Sequence, residues 1–140
     1  MNSTPQRSRG LKVAGAIGVV FGLLTIFSGG TALFGGEAAR AAVGNAVPFV
    51  LWFNFLAGFA YVLAGLGLLA RRSAAAWLSA AIAVSTPVVL AAFGLHVASG
   101  GAYEMRTVGA MLLRSAVWVA IAVVAYRAMR PIDRAAGTGR

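Results

Sequence analysis

The residues that could do chemistry in this sequence are few, and each stands in or beside a long apolar run. Arg114 lies seven residues inside the apolar segment 107–126, which is roughly 10 Å along a helix. A guanidinium keeps its charge at any ordinary pH, so Arg114 suits an anion anchor and not an acid–base catalyst. Placing it within a membrane span costs at least about 2.5 kcal/mol on the gentlest insertion scale, less where its stem reaches back toward the surface. A specific partner inside the protein is therefore expected, with Glu104 the first candidate and Asn54 the second. Asn54 lies six residues into the segment 48–70, roughly 9 Å deep from the same side. Asparagine in lipid commonly joins two helices, but its depth puts it in one layer with Arg114.

The remaining candidates cluster near the same level. His96 is the sole histidine, within about a turn of the end of segment 74–98. One histidine cannot ligate haem from both sides. With Glu37 and Glu104 it could in principle hold a divalent metal, but no ligand spacing supports that, so neither metal nor cofactor is expected. The stretch 99–107 brings together two glycines, Tyr103, Glu104 and Arg106, the ingredients of a loop that folds tightly over a polar layer or of a surface ion pair. Trp118, one turn beyond Arg114, is placed to stack on the guanidinium. The expected ligand-binding set is thus Asn54, His96, Tyr103, Glu104, Arg106, Arg114 and Trp118, with no catalytic residue assigned.

These side chains must be positioned by membrane helices. Of the 140 residues, 60% are hydrophobic and 11% charged, and mean hydropathy is +0.85; a soluble domain carries about 25% charged residues. Four apolar segments follow one another, at about 11–34, 48–70, 74–98 and 107–126. Each is long enough to span the hydrocarbon as a helix, and their continuous apolarity is not the alternation of barrel strands. The first exceeds the h-region of a signal peptide and is read as a retained span. Pro48 suits the first turn of the second helix, and Pro131 is expected to close the fourth. The fold class expected is an all-α, up-down antiparallel four-helix membrane bundle in one domain, 1–140, with flexible tails at 1–10 and 131–140.

The formal charge of +9 marks topology and not nucleic-acid binding, because the basic residues flank spans and form no face with interleaved aromatics. Arg7, Arg9 and Lys12 precede the first span, Arg71 and Arg72 lie between the second and third, and Arg127, Arg130, Arg134 and Arg140 follow the fourth. The two other connections pair one arginine with one glutamate each: Arg40 with Glu37, and Arg106 with Glu104. Both termini are therefore expected in the cytoplasm, with 35–47 and 99–106 outside an inner, multi-pass cell membrane. Absence of cysteine excludes disulfides, thiolate catalysis and iron–sulfur ligation.

Each segment also carries a stripe of small or polar residues at spacings of three and four, which places them on one helix face. The stripes are Gly15, Gly18, Gly22, Thr25 and Gly29; Asn54, Gly58, Tyr61 and Gly65; Thr86, Val89, Phe93 and His96; Thr107, Met111, Arg114 and Trp118. Packing seams are the plain reading, and the face Gly15, Gly18, Gly22 could also meet a membrane-protein partner or a second copy of the chain. Three functions follow from these residues. The leading one is an outward-facing polar pocket, bounded by Asn54, His96, Glu104, Arg106 and Arg114 beneath the Tyr103 loop, that binds or helps move a small anionic or polar ligand. The second is an accessory subunit of a larger membrane complex. The third is an intramembrane enzyme using Glu104, Glu37 or His96. No Ser–His–Asp set, Walker loop or dinucleotide fingerprint appears. An apolar cytoplasmic half argues against an open channel.

Overall fold

A computed structural model describes the backbone of residues 3–137 and the side chains of residues 5–129. The chain forms α1 (Ser3–Phe34), α2 (Glu37–Val43), α3 (Pro48–Leu69), α4 (Ser73–Ala98) and α5 (Met105–Gly137). Four of these, all but α2, are long and apolar enough to cross a membrane. The protein is an all-α, multi-pass membrane bundle. The end carrying α2 and the 99–104 loop is called distal below, and the end carrying both termini proximal.

Neighbouring helices follow the ring α1–α3–α4–α5, with α5 returning to α1. The glycine stripe explains why α1 and α3 pack most extensively. A Cβ at Gly15 would lie 2.8 Å from the Gly65 carbonyl oxygen, one at Gly22 2.8 Å from the Gly58 carbonyl oxygen, and one at Gly18 3.2 Å from the Gly65 Cα. The two backbones touch, which only glycine permits. The face Gly15, Gly18 and Gly22 thus packs on α3 of the same chain, as a packing seam would.

The other stripes also turn inward: Tyr61, Thr86, Phe93, Met111, Arg114 and Trp118 are all buried. Outward-facing positions such as Leu24, Leu63, Trp77, Val88 and Leu113 are exposed, as lipid contact requires. The buried apolar residues separate into two groups. The larger joins all four long helices toward the proximal end, through Leu11, Ala14, Leu68, Ala75, Trp118, Ile121, Ala125 and Met129 among others. The smaller, Val47, Val50, Phe93 and Met111, ties α3, α4 and α5 at the distal end and contains no residue of α1. Distally, α1 and α5 thus share no apolar core.

Several boundaries differ from expectation. Pro131 does not close the fourth helix, since α5 continues to Gly137. A proline inside a helix removes one hydrogen bond and can leave the helix intact on both sides of it, and α4 likewise runs through Pro87. There the hydroxyls of Ser85 and Thr86 both donate to the Ile82 carbonyl, at 3.1 and 2.9 Å. Likewise α1 begins at Ser3, so the helix already includes most of the expected N-terminal tail. Residues 1–2 and 138–140 of the two expected tails lie outside the described residues, as do the side chains of Arg130, Arg134 and Arg140.

The 35–47 connection holds the extra helix α2, with Glu37 in its first turn and Arg40 in its last, each favourable to the helix dipole. Tight caps shape the turns. Arg71, at φ 56°, ends α3 through bonds from its own N–H to Leu68 (3.0 Å) and from Arg72 N–H to Gly67 (2.8 Å). Its guanidinium donates to the Ser8 hydroxyl, tying α1 to this turn.

Candidate functional site

A cavity of about 440 Å³ opens in the distal half, where α1 and α5 share no core. Its walls are Phe27, Ser28, Thr31 and Ala32 of α1, Thr107, Ala110 and Arg114 of α5, and Asn54 of α3. Residues Ala39, Ala42 and Val43 of α2 cover it, with Glu104 and Arg106 at the rim. Proximally the same two helices close: a Cβ at Gly18 would lie 3.4 Å from Trp118, and one at Gly10 3.7 Å from Val124. The cavity therefore ends inside the bundle.

Arg114 forms the deep wall and is only 8% exposed. No carboxylate among the described residues acts on it. Its Nη1 reaches the Met111 Sδ at 3.7 Å, and its Cζ stands 5.9 Å from the centre of the Phe21 ring. Thioether sulfur is a weak acceptor and a phenyl face a weak partner for a cation, so these contacts replace little of the lost hydration. Among the described residues the buried Nε has no hydrogen-bond partner, and neither has the buried Oδ1 of Asn54 on the neighbouring wall. An unmade bond at a buried polar atom costs about 1–3 kcal/mol, more for a charged group. Two such atoms, one cationic donor and one acceptor, line one cavity.

The rim residues are committed elsewhere. Glu104 Oε1 accepts from the Asn45 backbone N–H at 2.9 Å, and Arg106 Nη2 donates to the Ala42 carbonyl at 2.9 Å. Both bonds fasten the C-terminal end of α2 and the residues after it to the start of α5. Glu104 is thus a fastening of the roof and not the partner of Arg114.

No family model, curated protein or solved structure matches this chain.

Four of the seven expected site residues meet at the cavity: Asn54, Glu104, Arg106 and Arg114. The other three lie apart from it. His96 Nε2 is 3.2 Å from the Ala102 carbonyl oxygen, and its ring meets Phe49 edge-on at 6.3 Å. Tyr103 packs edge-on against Phe93 at 6.2 Å, so it seals the α4–α5 corner and roofs nothing. Trp118 stacks on Tyr61, with ring centroids 4.7 Å apart, deep in the proximal core. The ring under the guanidinium is Phe21 of α1 and not Trp118.

Sequence reasoning missed the whole α1 wall. Ser28 and Thr31 sit three apart and continue the small-polar character of Thr25, which was a usable signal. Their hydroxyls donate to the Thr25 and Phe27 carbonyls, at 3.3 and 2.8 Å, which leaves oxygen lone pairs on the α1 wall. Such a wall offers acceptors to a ligand hydroxyl or amine, while Arg114 offers a charged donor.

Proposed function

We propose that this membrane protein binds a small anionic group in its distal cavity, with Arg114 as the charge anchor and Asn54 as a second polar contact. One observation carries the reading. A guanidinium more than nine-tenths buried at membrane depth, without a carboxylate partner among the described residues, lines a cavity large enough for a ligand. Intramembrane arginines generally mark ligand or ion sites. A carboxylate or phosphate matches the guanidinium fork with two parallel bonds. The basic flanks at Arg7, Arg9, Lys12, Arg71 and Arg72 orient the cavity away from the cytoplasm, toward the outside of an inner membrane. The accessory-subunit reading takes second place, because the glycine face on which it rested is packed against α3.

The test is thermal unfolding of the detergent-solubilised chain against a panel of anions, covering inorganic phosphate, acetate, glycerol phosphate and phosphatidylglycerol. At least one of them should raise the midpoint for wild type and leave Arg114→Gln unchanged. If the whole panel shifts both proteins equally, anion binding at Arg114 is wrong.

A further inference from the structure

We infer that the ligand is an anionic amphiphile, which enters sideways from the distal leaflet between α1 and α5 and brings its phosphate or carboxylate to Arg114. This rests on the anion-binding reading above and adds the source of the anion and its route.

The route follows from what is closed and what is open. Above the cavity lies α2, held at its C-terminal end by the Arg106–Ala42 bond and just beyond it by the Asn45–Glu104 bond. Below it, α1 and α5 come together at Gly18 and Trp118. Toward the bundle axis stands Arg114 itself. The remaining side is the seam between α1 and α5, and there the walls face outward. Phe27 is 76% exposed, and Ser28, Thr31 and Ala110 are exposed as well. These positions lie within the spans: Phe27 is seven residues from the end of α1 and Ala110 five from the start of α5, roughly 10 and 7 Å deep by helix rise. An opening at that depth meets lipid and not water.

The chemistry of the opening selects the ligand. A free hydrophilic anion reaching Arg114 by this side would first have to enter hydrocarbon, at the cost of its hydration. An amphiphile is already there. Its tail stays in the bilayer beside Phe27 and Ala110, and only its head turns inward. The lining fits that division, with Phe27, Ala32 and Ala110 at the mouth and Ser28, Asn54 and Arg114 offering polar atoms. Arg114 takes the anionic oxygens, and Asn54 Oδ1 takes a head-group hydroxyl or amine. A glycerol phosphate head carries both groups.

Three probes separate the alternatives on the full-length chain in neutral detergent: glycerol phosphate, dioleoyl phosphatidylglycerol and uncharged dioleoylglycerol. Binding isotherms are compared for wild type, Arg114→Gln, Ala32→Trp and Ala110→Trp. The two tryptophans replace alanines at the mouth that offer the head group no polar side-chain atom, so they obstruct the seam and leave the polar wall intact. Phosphatidylglycerol should bind wild type at least tenfold more tightly than either other probe. Each mouth tryptophan should weaken it at least tenfold and leave the affinity for glycerol phosphate unchanged. Equal affinity for glycerol phosphate and phosphatidylglycerol, or mouth variants that bind the lipid as wild type does, would overturn lateral entry while Arg114-dependent anion binding stands. Equal affinity for dioleoylglycerol would overturn the anionic head. If Arg114→Gln binds all three probes as wild type does, the anion-binding reading falls, and lateral entry falls with it.

Discussion

A charged side chain stripped of water must be compensated by something, and among the described residues Arg114 receives a thioether and a phenyl face, with the Tyr61 phenol within electrostatic reach but no carboxylate. Its burial is therefore a standing cost to the fold, of at least about 2.5 kcal/mol on the gentlest membrane scale. Replacing it by methionine keeps much of the stem and removes the charge. Arg114→Met should be more stable than wild type by about 2 kcal/mol in neutral detergent, because the buried cation and its unpaired Nε are both gone. Unfolding by a denaturing detergent, followed by circular dichroism, measures this. A variant less stable than wild type would mean that the surrounding atoms satisfy the guanidinium after all. Stability gained where binding is lost is the usual exchange at a functional site. The sequence singled out Arg114 and Asn54, which line one cavity, because burial of polar groups in lipid is costly wherever they point. It misassigned Trp118 because spacing along one helix specifies a face and not the ring that packs there. That ring, Phe21, comes from another helix.

At the scale of elements, the glycines of α1 and α3 govern how closely the two helices approach. Gly22→Ala would place a methyl 2.8 Å from the Gly58 carbonyl oxygen and from the Val62 nitrogen, both backbone atoms that cannot step aside. Gly65→Ala meets the Gly15 carbonyl oxygen and the Val19 nitrogen at 2.6 Å. Each should destabilise the bundle by about 1–3 kcal/mol, the usual cost of overpacking. Gly94→Ala is the control: nothing lies within 4 Å of its added methyl, and the helix should gain about 0.5–1 kcal/mol from the lost backbone entropy. Thermal midpoints of the three variants check the order, and a Gly22→Ala bundle as stable as Gly94→Ala would exclude the close packing of α1 on α3. The four spans were legible in the sequence because apolar length is a strong signal. Helix α2 was not, since seven residues, Glu37–Val43, are too few to show periodicity. Its placement depends on Ala42 and Asn45 meeting Arg106 and Glu104, roughly sixty residues away.

For the whole molecule, the distal cavity results from an imbalance in packing. Four helices share a core at the proximal end, and only α3, α4 and α5 share one at the distal end. Composition could not reveal this, because the apolar residues of α1 look alike along its length. What distinguishes them is that α1 meets α3 through glycine and joins the proximal core shared with α5, while the distal core holds no α1 residue. The molecule is thus closed where the basic residues cluster and open where Arg114 lies, without a carboxylate partner among the described residues. The most direct test is native mass spectrometry of the full-length chain extracted from its membrane in mild detergent, wild type beside Arg114→Gln. Wild type should carry one acidic, non-protein adduct per chain, and the variant should lack it. The same adduct pattern in both proteins, bare chains included, would contradict a ligand held by Arg114.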